Sequence, residues 1–102
     1  MSTLNIINKS PFEKTTLDQC LGRIGNGDSV LLIEDAAISA VSGTAYQDKL
    51  LSAAEQSTLY VLKPDLDARG FADAALIAKI ETVDYAGFVD LVAKHERVHS
   101  WL

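Results

Sequence analysis

Cysteine is nearly absent from this 102-residue sequence: Cys20 is the only one. A lone cysteine cannot form an intrachain disulfide, and free thiols persist in reducing compartments. Long apolar runs are lacking too. The longest, Val30 to Ile33 and Ala74 to Ala78, fall far short of the roughly 20 residues a membrane-spanning helix needs, so no segment is expected to cross a bilayer. The first residues, Met1, Ser2, Thr3, Leu4 and Asn5, contain no basic segment leading into an apolar one, which argues against a secretory signal and for the cytoplasm. Basic residues number nine against 14 acidic ones, for a net charge of −5, and they form no run. Direct binding to a nucleic-acid backbone requires clustered Lys and Arg and is therefore disfavoured. A glycine-rich phosphate loop is missing: Gly22, Gly25 and Gly27 precede an expected strand, whereas such a loop follows one. Nucleotide binding has no support, and no cofactor is expected.

What is present is the balance of a folded protein, 48% hydrophobic and 23% charged residues, in a length that suits one domain spanning residues 1–102. Leu4 to Ile7 reads as a strand. Ser10, Pro11, Phe12 and Glu13 read as a helix start, with a reciprocal Ser10–Glu13 capping box and Pro11 at the first helical position. Leu17, Cys20, Leu21 and Ile24 then fall at i, i+3, i+4 and i+7, one apolar helix face. Val30, Leu31, Leu32 and Ile33 form a run suited to a strand covered on both sides. An Ala-rich segment with Tyr46, Leu50 and Leu51 at helical spacing follows, then a strand from Thr58 to Leu62. Asp65 is placed to cap a short helix that Gly70 stops. Ile80 to Val83 is the last expected strand, and Asp84 caps a helix bearing Phe88, Leu91, Val92 and His95 on one face. Strands alternating with helical segments predict an α/β three-layer sandwich, a parallel sheet of about four strands with helices on both faces and right-handed crossovers. The terminal Trp101 and Leu102 either fold back on this sheet or meet a partner.

Three constellations are candidates for chemistry. Glu34 and Asp35 should lie beyond the carboxyl end of the central strand, where ligands of such sheets gather. An acidic pair there could hold Mg²⁺ as in phosphoacceptor receiver domains, but Asp65 is displaced past Lys63 and Pro64 and no Lys ends the fourth strand. A solvated acidic loop or a helix cap is the favoured reading. His95 and His99 bracket Glu96, yet a zinc site needs three or four ligands and the one cysteine lies far away in sequence; no metal is expected. Cys20 could carry sulfur as a persulfide if its pKa were low and its thiol open to solvent. Its place on an apolar face, near a helix C-terminus where the macrodipole disfavours negative charge, favours a buried, inert cysteine, and Arg23 and Lys14 offset that only modestly.

Four segments in order carry a resemblance over nearly the whole chain: Leu4, Asn5 with Asn8, Lys9, Ser10, Pro11, Phe12; then Gly27, Asp28, Ser29, Val30 through Asp35; then Leu62, Lys63, Pro64, Asp65 through Gly70; and finally Asp84, Tyr85, Ala86, Gly87, Phe88, Val89 with Trp101. Together they resemble the DsrH/TusB family of sulfur-relay subunits. The resemblance implies a DsrE-like, flavodoxin-like fold and a cytoplasmic heterohexamer with DsrE/TusD-like and DsrF/TusC-like subunits. In that complex sulfur travels as a protein persulfide, and the main carrier cysteine sits on the DsrE/TusD-type partner. One branch of the family serves sulfur oxidation, passing sulfur from a TusA-like donor to a DsrC-like acceptor; the other, with a TusE-like acceptor, serves 2-thiouridine formation at tRNA wobble positions. A cysteine at the Cys20 position resembles the sulfur-oxidation branch, so the expectation is a DsrH-like subunit with Cys20 as an accessory thiol. A TusB-like subunit and a purely structural subunit are the alternatives.

Overall fold

Strands that are apolar on both pleat faces need cover on both sides, and this requirement fixes the centre of the sheet. The computed structural model describes residues 2–101. In it, β1 (Thr3–Ile7) and β2 (Ser29–Leu32) lie in the sheet interior, joined by β3 (Thr58–Leu62), β4 (Ile80–Val83) and β5 (Arg97–Trp101) in the order β4-β3-β2-β1-β5. Every neighbouring pair is parallel. The sheet therefore has five strands where the sequence led us to expect about four. β5 escaped notice because it is an edge strand, exposed over Arg97, Val98, His99 and Ser100, and so carries no apolar run.

The two sheet faces are covered unequally. Ile7, Val30, Leu32, Leu59 and Val61 on one face pack against Leu17 and Cys20 of α1 (Thr16–Leu21), Ala36, Ala37 and Ala40 of a 3-10 helix (Glu34–Ala40), Leu50 of α2 (Gln47–Ala53) and Leu66 of α3 (Lys63–Ala68). Leu4, Ile6 and Leu31 on the other face cluster with Leu91 and Phe88 of a single helix, α4 (Tyr85–Lys94), and with Ile33, Tyr60 and Val83. Each fully buried Leu or Val contributes about 1.5–3 kcal/mol by leaving water.

Several local expectations shift. The helix begins at Thr16, not at Ser10: Ser10 Oγ accepts from the Phe12 amide at 3.2 Å and the Ser10 carbonyl accepts from Glu13 and Lys14. That closes a turn, and the Pro11 carbonyl is taken by the Tyr46 hydroxyl at 3.1 Å. The Ala-rich stretch is divided into the 3-10 helix and α2, with Gly43 at φ +87° between them. Asp65 lies inside α3, which starts at Lys63, and does not cap it. Gly70 does stop it: at φ +83° it allows the Phe71 amide to reach back to the Leu66 carbonyl at 2.9 Å, a left-handed helix termination. Asp84 caps α4 as its sequence implies, accepting from the Gly87 amide at 2.7 Å. That helix ends at Lys94, so His95 follows its last turn.

Candidate functional site

Cys20 is held by the register of α1. Leu17 and Cys20 face inward one turn apart, and both are completely buried among Ile7, Val30 and Leu32. Burial pushes the thiol up to about 12 from an ordinary value of 9.0, with the Asp28 carboxylate adding to the rise. Both causes disfavour the thiolate, the form that sulfur transfer uses. Arg23, one turn on, does not offset this. Its guanidinium lies 5.9 Å from the centroid of the Trp101 ring. Asp28 itself is committed to the backbone, accepting from the Thr3 amide at 3.1 Å and the Gly25 amide at 3.0 Å.

Two surface cavities flank α1, and Cys20 lines neither. The larger, about 720 Å³, is an open groove between α1 and α2 that includes Asp18, Ile24, Lys49 and Gln56. Lys49 donates to Asp18 at 2.9 Å and holds its carboxyl below the usual range. Tyr46 places its hydroxyl 3.0 Å from the same carboxylate, and burial followed by that neighbour raises the phenol. The smaller cavity, about 240 Å³, lies against β5 and is lined in part by Asn5, Arg23, His99 and Trp101. Here sequence reasoning missed a contact: Trp101 Nε1 donates to Asn5 Oδ1 at 3.0 Å, while Asn5 Nδ2 donates to the Ser29 carbonyl at 3.2 Å. A buried Asn within an apolar strand was the available signal, because such an amide requires partners. Trp101 thus folds back on its own sheet; Leu102 lies outside the described residues.

Glu34 and Asp35 do follow β2 at the carboxyl edge. Glu34 adopts φ +50°, a conformation unfavourable for a side-chain-bearing residue, and its amide is held by Asp65 Oδ2 at 2.6 Å. Asp35 pairs with Arg69 at 3.1 Å, and Lys63 pairs with Asp67. The Glu34–Asp65 and Asp35–Arg69 contacts tie the 3-10 helix to α3 and its C-terminal end, while Lys63–Asp67 is a pair within α3. Among the described residues no three His, Cys, Asp or Glu side chains are grouped to hold a metal ion. The two histidines are separated by the sheet. His95 Nδ1 donates to the Leu91 carbonyl at 2.7 Å, which leaves Nε2 to accept from the Ser29 hydroxyl at 2.8 Å. His99 stacks on Trp101 with centroids 4.5 Å apart. No described helix is long and apolar enough to cross a membrane.

Among the described residues Cys20, the two histidines and the Glu34–Asp35 pair are not brought together, and comparison with known proteins supplies the context. The family described as DsrH like protein matches residues 9–98. The chain belongs to the DsrH/TusB family. Protein TusB of Photorhabdus laumondii is 32% identical over 100 residues, covering 96% of this chain and 99% of that one. Protein TusB of Erwinia tasmaniensis is 36% identical over 98 residues with the same coverage. The crystal structure of the ychN protein from E. coli superposes with a TM-score of 0.80 at 17% identity, covering 98% of this chain and 99% of that one. Protein MTH1491 from Methanobacterium thermoautotrophicum does so at 0.72 and 8% identity, covering 96% and 97%. At those identities the two structures establish the fold of this DsrH/TusB member and nothing of its activity.

Proposed function

We propose that this chain is a TusB-like, non-catalytic subunit of a cytoplasmic sulfur relay that serves 2-thiouridine formation at tRNA wobble positions. The observation that carries the reading is full-length similarity to proteins named TusB, at 32% and 36% identity. The lean toward a DsrH-like role in sulfur oxidation rested on Cys20, and complete burial of that thiol weakens the argument for that branch. In this reading the persulfide is carried by a cysteine of a TusD-like partner, a TusC-like subunit completes the assembly, and TusA-like and TusE-like proteins load and unload it. The 1–102 domain contributes shape and contact surface. With a net charge of −5, it leaves tRNA to others.

The test is to co-express the chain with its TusC-like and TusD-like partners and incubate the purified assembly with a persulfide donor. Each chain is then weighed by mass spectrometry. Added sulfur on the partner and none on Cys20, with transfer unchanged by Cys20→Ala, is the expected result. Sulfur on Cys20, or loss of transfer by an intact assembly carrying Cys20→Ala, restores Cys20 as a carrier and overturns the non-catalytic role.

A further inference from the structure

Helix α4 is apolar nearly all the way round. Of its ten residues, Tyr-Ala-Gly-Phe-Val-Asp-Leu-Val-Ala-Lys, only Asp90 and Lys94 are charged. A helix of that composition belongs in an interior, since a surface helix carries polar residues on its outer side. Its inner side is accounted for by Phe88 and Leu91, which pack on Leu4, Ile6 and Leu31. Its outer side is not. Tyr85, Val89 and Val92, at i, i+4 and i+7, are 61%, 67% and 40% exposed, and Ala86 and Ala93 beside that row are exposed as well. Val98 of β5, 44% exposed, is in register with Leu4 and so lies on the same side of the sheet. Among the described residues, Phe12 is the one other large apolar side chain left exposed, and it lies elsewhere, in a T-shaped contact with the Tyr46 ring. Apolar side chains scattered singly over a surface need no explanation, but a contiguous stripe marks an interaction site.

The charges around the stripe indicate its occupant. Glu81, Asp84, Asp90 and Glu96 are exposed there, against Lys94 alone on the helix, and none of them is in an ion pair among the described residues. Self-association through this face would set one acidic rim against another, in chains that each carry a net charge of −5, and like charges across an interface oppose association. We infer that the outer face of α4, with Val98, docks a different protein chain: one presenting an apolar helical face flanked by lysine or arginine. The exposed Ala86 and Ala93 let such a helix approach closely, while Tyr85 and Val89 provide the buried centre that dominates interface energies. This inference rests on the subunit reading above and assigns the contact surface within it.

The experiment measures assembly of the full chain with its co-expressed TusC-like and TusD-like partners by native mass spectrometry and light scattering, using Val89→Arg, Tyr85→Ala and Asp90→Lys. Glu55→Arg, an exposed change beyond the end of α2, is the control. Circular dichroism is expected to show all variants folded, because these side chains are exposed. Val89→Arg and Tyr85→Ala should weaken assembly by about tenfold or more. Asp90→Lys should weaken it at low salt with a smaller loss at high salt, and Glu55→Arg should leave it intact. Wild-type affinity in Val89→Arg and Tyr85→Ala would overturn the assignment of this face while leaving the subunit reading in place. A wild-type chain that dimerises by itself, and is made monomeric by Val89→Arg, would overturn the choice of occupant in favour of a second copy. Failure of the wild-type chain to join any partner would remove the subunit reading and this inference with it.

Discussion

Cys20 shows how position governs chemistry at the scale of one residue. Its thiol is raised to about 12 by burial and by Asp28, and the sign of the resulting pH dependence follows directly. Below about pH 9 the thiol is protonated in both the folded and the unfolded chain and adds no pH dependence. Between about pH 9 and pH 12 only the unfolded chain releases the proton, so stability falls as pH rises. Urea unfolding of wild type and Cys20→Ala should reveal it: the variant should lose about 1–2 kcal/mol at pH ~8 from the small void it leaves. By pH ~10.5 the wild type should have lost about 2 kcal/mol more than the variant through the thiol. Equal pH profiles would show that Cys20 ionises in the folded protein. Trp101 gives a second expectation. Trp101→Phe keeps an aromatic ring beside His99 but leaves Asn5 Oδ1 without its donor, which should cost about 1 kcal/mol, read from the urea midpoint. The buried position of Cys20 was legible in the sequence from the spacing with Leu17. The Asn5–Trp101 hydrogen bond was not, because it joins residues 96 positions apart and depends on a strand that no apolar run announces.

Elements were legible where a local rule fixed them and illegible where distant contacts did. Asp84 caps α4 through a bond three residues long, so sequence alone sufficed. Asp84→Ala should lower stability by about 1 kcal/mol, and Asp84→Ser should recover most of it; no loss in the alanine variant would show that the cap is replaced by solvent. Ser10 looked equally good as a cap. There the chain turns instead, because Tyr46, 35 residues further on, binds the Pro11 carbonyl and meets Phe12 edge-on at 5.5 Å. Asp65 was expected to cap α3 and instead secures the amide of Glu34, whose left-handed backbone would otherwise have little to hold it. Asp65→Asn retains a weaker acceptor and should be tolerated. Asp65→Ala frees the start of the 3-10 helix and should cost about 1–3 kcal/mol, with hydrogen exchange rising first at residues 34–36.

Across the whole molecule, the sheet follows from the order of apolar runs, and the uneven covering of its two faces follows from where the helices fall along the chain. Four helical segments shield the face that buries Cys20, and α4 alone shields the other. Such a molecule has a well-filled interior around its only thiol and an apolar stripe on its outside. Both features support the proposed reading, a subunit that contributes surface to an assembly and leaves the sulfur chemistry to another chain. Membership of the DsrH/TusB family was legible because its four sequence segments include the strand ends, turns and caps that fix this fold. The branch was harder to read, because the residue that pointed to sulfur oxidation, Cys20, is completely buried in the chain's own interior. Thiolated wobble uridine in total tRNA, measured by mass spectrometry in cells deleted for this chain and in cells complemented with wild type or Cys20→Ala, tests the account most directly. It predicts loss of the thiolated nucleoside on deletion and full recovery with either version. Unchanged thiolation in the deleted cells, or recovery with wild type alone, would contradict it.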